Sequence, residues 1–273
     1  MKNKQCWCGC EDFRKYEYFR KGIVKDYSRK IKIVKCLNCG TVRMFDNGLL
    51  GEPHYNDSYI YGNVSPRHKK VVSLVNTYSS GESLIDVGCN TGVLLNAIKD
   101  NVLKLKRFKG IDIDSKAIEI GREKTNLDLE AKYIEDETGK FDNVVLCHVL
   151  EHVPDFKSFF NKVDDILSDN GKIYISVPNV DSVGARQSLR LWNGLSPDFH
   201  LWYFNINTLK ECINKFLPNN RIVHQSSFFI WKPPLYPRFI WNYIVKNNYD
   251  SLIEESGDKF KGDQIDLVIE KIV

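Results

Sequence analysis

The sequence predicts an α/β protein built on a doubly wound, mostly parallel sheet, with a small zinc-binding module at its N-terminal end. Three observations predict it. From about residue 66 to 180, apolar runs of strand length alternate with segments whose apolar residues recur at helical spacing. One of those strands, in LIDVGCNTGVLL at 84–95, stops at an acid and turns through two glycines before helical spacing resumes. Five of the eight cysteines lie within the first 39 residues.

At the N-terminal end, Cys36 and Cys39, followed by Gly40, form a knuckle whose turn points both thiolates inward. That is half of a tetrahedral zinc site. The other half is expected about 28 residues earlier, where CWCGC offers Cys6, Cys8 and Cys10 and only two are needed. Cys6 and Cys8 are the expected pair, with Cys10 in reserve. Between the halves, FRKYEYFRKGIVKDYSRKIKIVKC alternates aromatic or branched residues with Lys and Arg, which predicts two or three short strands and a zinc-ribbon-like module. Four thiolates leave no open position for water, so the expected ion is structural. Free buried thiols are the competing reading, but they would not require two clusters that each contain a Cys-Gly step. Cys89, Cys147 and Cys212 stand singly in apolar contexts and read as small buried hydrophobes.

Pro66 opens a helical pattern in PRHKKVVSLVNTY, and SSGE then leads into the strand SLIDV. A helix over VLLNAIKDNV, the strand RFKGIDI, a helix over KAIEIGREK and a short strand AKYIE follow. After them come the strand FDNVVLC, a helix over FKSFFNKVDDIL and the strand GKIYISV. Five strands separated by helices imply an open parallel sheet, whose ligands bind at the carboxyl ends of the strands. The stretch at 84–95 is one of those ends.

Dinucleotide enzymes place G-x-G-x-x-G at this position to seat a pyrophosphate on a helix N-terminus. Here Asp86 precedes Gly88 by two residues, Gly92 follows, and there is no third glycine at that spacing. A carboxylate would repel a pyrophosphate and suits a cation, such as a nucleoside carrying an amine and a sulfonium. The stretch resembles the first motif of the class I S-adenosylmethionine-dependent methyltransferases, D-x-G-C-G-T-G, with Asn90 standing where that family mostly has glycine. Asn tolerates left-handed backbone, so the turn survives the change. Further matches follow in order. Asp112, 24 residues after Gly88 and ending the second strand, falls where the family holds the ribose hydroxyls, with Ile113 next to it. Asp136 is the counterpart of the acid that faces the adenine amine, with Glu135 and Glu137 one register away. FDNVVLCHVLEHVPD and LSDNGKIYISVPN resemble the fourth strand with its helix entry and the fifth-strand hairpin. The resemblance spans about residues 66 to 180 and implies a Rossmann-like fold, an S-adenosyl-L-methionine cofactor, and methyl transfer to a small acceptor. In the competing reading, Asp112 is a solvated turn residue and the glycines serve only packing.

His148-Val-Leu-Glu151-His152 also matches H-x-x-E-H, a zinc-protease motif that needs a helix. The strand FDNVVLC just before it argues for coincidence. Some similar quinone-pathway O-methyltransferases hold a divalent ion with acids and histidines at this place, which leaves open a second metal at His148, Glu151 and His152. After the fifth strand, VDSVGARQSLRLWNGLSPDFHLWYF leaves the strand-helix rhythm and is expected to cover the acceptor, with His200, Trp202 and Tyr203 facing it. His148 and His200 are therefore the candidate catalytic bases. PDFHLWYFNINTL resembles a segment of bacterial methyltransferases of sugar and secondary-metabolite pathways, which implies a sugar or sugar nucleotide as acceptor. The expected division is a zinc module at 1–45, a linker and helix at 46–80 and a cofactor-binding core at 81–180. An acceptor-covering insertion at 181–204 and a C-terminal part of the core at 205–273 complete it. Within the last, a long aromatic and proline-rich flap at 231–262 reads as packing on the core or forming a homodimer, with membrane contact the lesser option.

Composition narrows the function classes. In 273 residues, Lys and Arg exceed Asp and Glu by 39 − 35 = 4, far from the basic footprint of a dedicated nucleic-acid binder. The alternative from another class is an RNA-binding or RNA-modifying protein that uses the zinc module. No apolar leader opens the sequence and no apolar run approaches the ~18 residues of a membrane helix, so the expected location is cytoplasmic.

Overall fold

A computed structural model of the chain describes residues 5–19, 31–45, 63–187, 189, 192, 194–196, 199–228 and 262–272. Most of the expected linker and nearly all of the expected flap at 231–262 lie outside them.

The main sheet has seven strands. They are β4 (Ser83–Val87), β5 (Arg107–Asp112), β6 (Asp128–Ala131), β7 (Phe141–Cys147), β8 (Leu167–Pro178), β10 (Asn220–Phe228) and β11 (Gln264–Lys271). Their spatial order is β10-β11-β8-β7-β4-β5-β6. The five strands from β6 to β8 run parallel, and β11 and β10 continue the sheet antiparallel. The mostly parallel, doubly wound sheet expected from the alternation is therefore present. Helices α1 (Pro66–Tyr78), α2 (Val93–Asn101), α3 (Ser115–Lys124), α4 (Phe156–Ile166) and α6 (Ile206–Phe216) flank it, and the short α5 (Val183–Gln187) follows β8. Among the described residues, no helix is long and apolar enough to cross a membrane.

Local sequence explains the helix ends. Ser65 caps α1 in a reciprocal box with His68, and Pro66 occupies the first turn, where its missing N–H costs nothing. Asp114 and Asp155 cap α3 and α4 by accepting two backbone N–H groups each. In α4, Phe156, Phe159, Phe160, Val163 and Ile166 recur at helical spacing and are all buried. Phe160 stacks on Phe156 and on Phe216 of α6, with centroids 5.9 and 6.1 Å apart.

The pleat divides the core. Val144 and Leu146 of β7 face α4 with Ile85, Ile173 and Ile175, whereas Val145 faces α1 and α2 with Leu84 and Tyr174. One departure concerns the third strand. The pattern AKYIE predicts a strand at 131–135, but β6 ends at Ala131 because its partner β5 ends at Asp112, and Ile134–Asp136 forms a 3-10 turn. Ile134 is buried by that turn, which accounts for an apolar residue that mimics strand alternation.

A second, four-stranded sheet contains β1 (Phe13–Phe19), β2 (Ile31–Cys36), β3 (Val42–Met44) and β9 (Trp202–Tyr203), in the order β1-β2-β3-β9. β1 and β2 are short strands of the kind expected between the cysteine pairs, whereas β3 follows the second pair, where no strand was expected. The fourth comes from the far end of the segment expected to cover the acceptor, with Val42 opposite Tyr203 and Arg43 opposite Trp202. Arg43, only 2% exposed, lies over the Trp202 ring at 4.7 Å, and the Trp202 indole N–H donates to Val153 O at 2.7 Å. These contacts fasten the N-terminal sheet to the main core.

Candidate functional site

The turn after β4 is held in place by the end of β5. Gly88 N–H and Cys89 N–H both donate to Ile111 O, at 2.8 and 3.0 Å, and Asn90 N–H donates to Asp112 Oδ2 at 2.8 Å. Gly88 has φ 75°, and a Cβ there would lie 2.8 Å from Val149 Cγ2, so both backbone and space demand glycine. Asn90 has φ 51° and uses its own Oδ1 to accept Thr91 N–H at 2.8 Å, which is how it stands in for glycine. Gly92, at φ 78°, precedes α2 with no side-chain cap, leaving the first amides of that helix turned toward the same mouth.

Asp112 is therefore fixed before any ligand arrives. Its Oδ2 accepts from Asn90 and its Oδ1 accepts from Asp114 N–H at 2.9 Å, and each oxygen keeps a second acceptor direction. Burial pushes this carboxyl up, and the backbone N–H groups pull against that shift. Ile113 beside it is 58% exposed, an apolar surface over which a flat base can lie. Asp86 is 2% exposed, and its Oδ2 has no hydrogen-bond partner. Burial, reinforced by Asp112, pushes it up to about 8. A buried acid with that character favours a cation beside it.

Asp136 and Glu135 are exposed on the 3-10 turn beyond β6, whereas Glu137 is committed to the fold. Glu137 pairs with Lys109 at 3.0 Å and Lys132 at 3.3 Å and accepts Gly139 N–H at 2.8 Å. Burial alone would raise it, but the Gly139 amide and the two ammonium groups hold it at about 2.

At the end of β7, His148 has φ 60° and Leu150–His152 forms a 3-10 turn, so H-x-x-E-H is not helical here. His148 N–H donates to Ser176 O at 2.8 Å. Its Nδ1 lies 3.0 Å from Glu151 Oε1, and its buried Nε2 has no partner. Burial lowers His148, while Glu151 acts in the opposite direction. Glu151 is 1% exposed; burial would raise it, yet His148 and the neighbouring histidines hold it at about 2.

His200 reaches the same acid from the distant segment, with Nε2 4.0 Å from Glu151 Oε1. Its Nδ1 faces Gly194 O at 3.1 Å, and His152 Nδ1 faces Phe199 O at 3.0 Å. Carbonyl oxygens only accept, so both Nδ1 atoms carry hydrogen and both Nε2 atoms present lone pairs. Burial lowers His200 to about 3. One ligand atom each from Glu151, His152 and His200 lies within 4.8 Å of the others, a set that could hold a metal ion. The motif brings His148, Glu151 and His152 together as a possible second metal set, but the set that converges in the structure takes His200 in place of His148, and the approach of His200 from a distant segment has no local signal.

The four expected metal cysteines also converge. Cys6 and Cys39 Sγ are 3.6 Å apart, as are Cys8 and Cys36 Sγ, and all four lie within 4.8 Å of one another. Zinc–sulfur bonds of about 2.3 Å in a tetrahedron put sulfurs roughly 3.8 Å apart, so the set fits such an ion. The hydrogen bond from Cys6 holds Cys39 down at about 5. Cys10 turns away to the backbone of Asp12.

An open sheet whose first two strands end in Asp86 and Asp112 around a glycine turn is the architecture of the class I S-adenosylmethionine-dependent methyltransferases. Residues 65–216, more than half of the chain, match the sequence model of the methyltransferase domain family, and the chain belongs to that family. It is similar to the ribosomal protein L11 methyltransferase of Staphylococcus saprophyticus, 37% identical over 82 residues, 27% of this chain and 25% of that protein. It is also similar to the ubiquinone biosynthesis O-methyltransferase of Erwinia tasmaniensis, 25% identical over 127 residues, 41% of this chain and 51% of that protein. The chain thus spans a quarter to half the length of these curated relatives. Among solved structures, an S-adenosylmethionine-dependent methyltransferase from Thermotoga maritima superposes with a TM-score of 0.53 at 15% identity, covering 75% of this chain and 89% of that one, a likeness of fold.

Asp86 generates a pH test. Its folded value, about 8, lies above the ordinary 3.8, so the folded protein keeps a proton that the unfolded chain releases. Asp86 therefore costs stability increasingly as pH rises from about 4 to about 8, with a slope of at most ~1.4 kcal/mol per pH unit. Urea unfolding of the unliganded protein at pH 5 and pH 8 should show Asp86→Asn gaining stability over the wild type at the higher pH. Parallel profiles for the two proteins would contradict the assignment.

Proposed function

We propose that the chain binds S-adenosyl-L-methionine at the turn 88–92 and transfers its methyl group to a small acceptor, a sugar or sugar nucleotide. The Asp112 carboxylate carries this reading: one N–H fixes each oxygen, and the second acceptor directions suit the two ribose hydroxyls. In this reading Ile113 lies against the adenine and Asp136 accepts from its amine. Gly88, Asn90 and Gly92 let the backbone approach the methionine part, and Asp86 offsets its positive charge. The sulfonium supplies the methyl group. The chain's own contribution is alignment of donor and acceptor, together with removal of the acceptor's proton.

His148 is the base we assign. Glu151 beside Nδ1 favours the tautomer that leaves Nε2 free to take a proton, and that Nε2 has no competing partner. His200, held near 3 by burial, is the weaker base and serves to complete the surroundings of Glu151. A sugar acceptor is favoured by the resemblance of the 197–209 segment to sugar-pathway enzymes. We further assign a structural zinc ion to Cys6, Cys8, Cys36 and Cys39, and retain 1–45 as the zinc module and 81–180 as the cofactor-binding core.

Asp112→Ala should weaken both S-adenosylmethionine and its demethylated product by roughly ten- to hundredfold, the worth of ~1.5–3 kcal/mol in charge-assisted hydrogen bonds. Calorimetry giving equal affinities would remove the carrying observation. Metal analysis of the purified, reduced protein should return about one zinc per chain, lost in Cys36→Ser and in Cys39→Ser, while Cys10→Ser retains it. Zinc retained in either of the first two variants would refute the ligand set. With an acceptor in hand, His148→Ala should lose roughly 10² to 10⁴ in turnover with product affinity unchanged. Near-normal turnover would rule His148 out as the base.

A further inference from the structure

The sheet face that carries Asp86 holds a second buried acid that methyl donor binding does not use. Asp266 of β11 is fully buried, and neither carboxylate oxygen has a hydrogen-bond partner. Opposite it on β8 stands Ser176, 1% exposed, whose hydroxyl makes no well-formed hydrogen bond but draws the Asp266 carboxyl down against the rise that burial imposes. Gln264, two residues before Asp266 and therefore on the same face, is also fully buried, and neither its amide oxygen nor its amide nitrogen has a partner. Leaving such groups without full hydrogen bonding opposes folding. The same face of the same strands is filled by Tyr174 and Val268 two residues away, so an apolar solution was available to the fold.

The group borders the end of β7, which His148 follows. Ser176 is also the ladder partner of Cys147, and its carbonyl accepts the His148 N–H. Burial raises the Cys147 thiol, and the carboxylates of Asp86 and Asp266 both raise it further, so this one side chain lies in the field of both acids. β7, β8 and β11 are successive strands, which puts Asp266 about two strand spacings, ~10 Å, from the strand that His148 follows.

The donor and acceptor types select a ligand. A carboxylate only accepts, an amide donates and accepts, and a hydroxyl does both. Adjacent hydroxyl groups on a ring match this mixture, since each both donates and accepts. A cation matches it less well, because it offers nothing to the Gln264 N–H, and Lys70 of α1, 8% exposed, already offsets the charge of Asp266. The geometry points to Asp266, Gln264 and Ser176 as a subsite that receives a neutral ring with adjacent hydroxyls and presents one of its substituents to His148. This deepens the proposed function and rests on the donor binding at 88–92.

Calorimetry on the full chain separates the two. S-adenosylhomocysteine is titrated first, and then, at its saturation, three nucleoside diphosphate hexoses and three aliphatic diamines. Heat from S-adenosylhomocysteine and from at least one hexose is expected. That hexose should lose tenfold or more in affinity in Asp266→Asn and in Ser176→Ala, with S-adenosylhomocysteine affinity unchanged and the melting temperature of each variant equal to or above the wild type. The second variant keeps the test alive should the first not fold. No heat from S-adenosylhomocysteine would fail the donor reading and the subsite with it. Donor binding without any hexose, diamine binding in place of hexoses, or hexose affinity unchanged in both variants would overturn the subsite alone. A lower melting temperature with hexose binding retained would make these residues structural and overturn it as well.

Discussion

Leu201 is gripped from both sides: its N–H donates to Glu151 O at 2.7 Å, and its carbonyl accepts Met44 N–H at 3.0 Å. The rest of the arrangement depends on this one doubly bonded peptide segment. It carries β9 into register with β3, which completes the N-terminal sheet, and it sets His200 immediately beside the acid that pairs with His148. Lys215 of α6 donates to Trp7 O, and Trp7 packs edge-on against Phe216, so the cysteine loop is also fastened to the helix that supports α4. The thiol cluster is thus linked by packing to the side of the sheet that carries Glu151. A closed metal site there would stiffen the strand on which Leu201 hangs.

The acids divide by their surroundings. Asp142 and Glu137 sit at the far end of β7 and beyond β6, where hydroxyls, amides or lysines meet their oxygens, and both are held below the ordinary carboxylate range despite burial. Asp86 and Asp266 lie at the carboxyl side of the sheet and are pushed up to about 8 and about 7, chiefly by burial; for Asp266 the Ser176 hydroxyl and Lys70 offset only part of that rise. Paired acids hold the fold together. Buried acids without such partners oppose it.

Much of this was legible from the sequence because it is local. Helix caps at Ser65, Asp114 and Asp155, the seven-residue turn from Asp86 to Gly92, and the knuckle at Cys36 and Cys39 each depend on residues within a few positions of one another. The short strand before Asp136 was misplaced by a few residues for the complementary reason. Where β6 stops is decided by the length of its neighbour β5, and the buried Ile134 belongs to a turn that only the packed core requires.

By itself the sequence determined the class of sheet, the acid-glycine turn at its mouth, the position of Asp112 and the identity of the cysteine clusters, since periodicity and short spacing encode all four. Only the tertiary structure decided that β9 joins the N-terminal sheet, that Cys8 rather than Cys10 meets Cys36, that His148, His152 and His200 gather around Glu151, and that Asp266 faces Ser176 across the ladder. Each of these depends on ladder register or on contact between residues tens of positions apart. Chain spacing carries no record of such contacts, because they are set by which strands lie side by side once the core has closed.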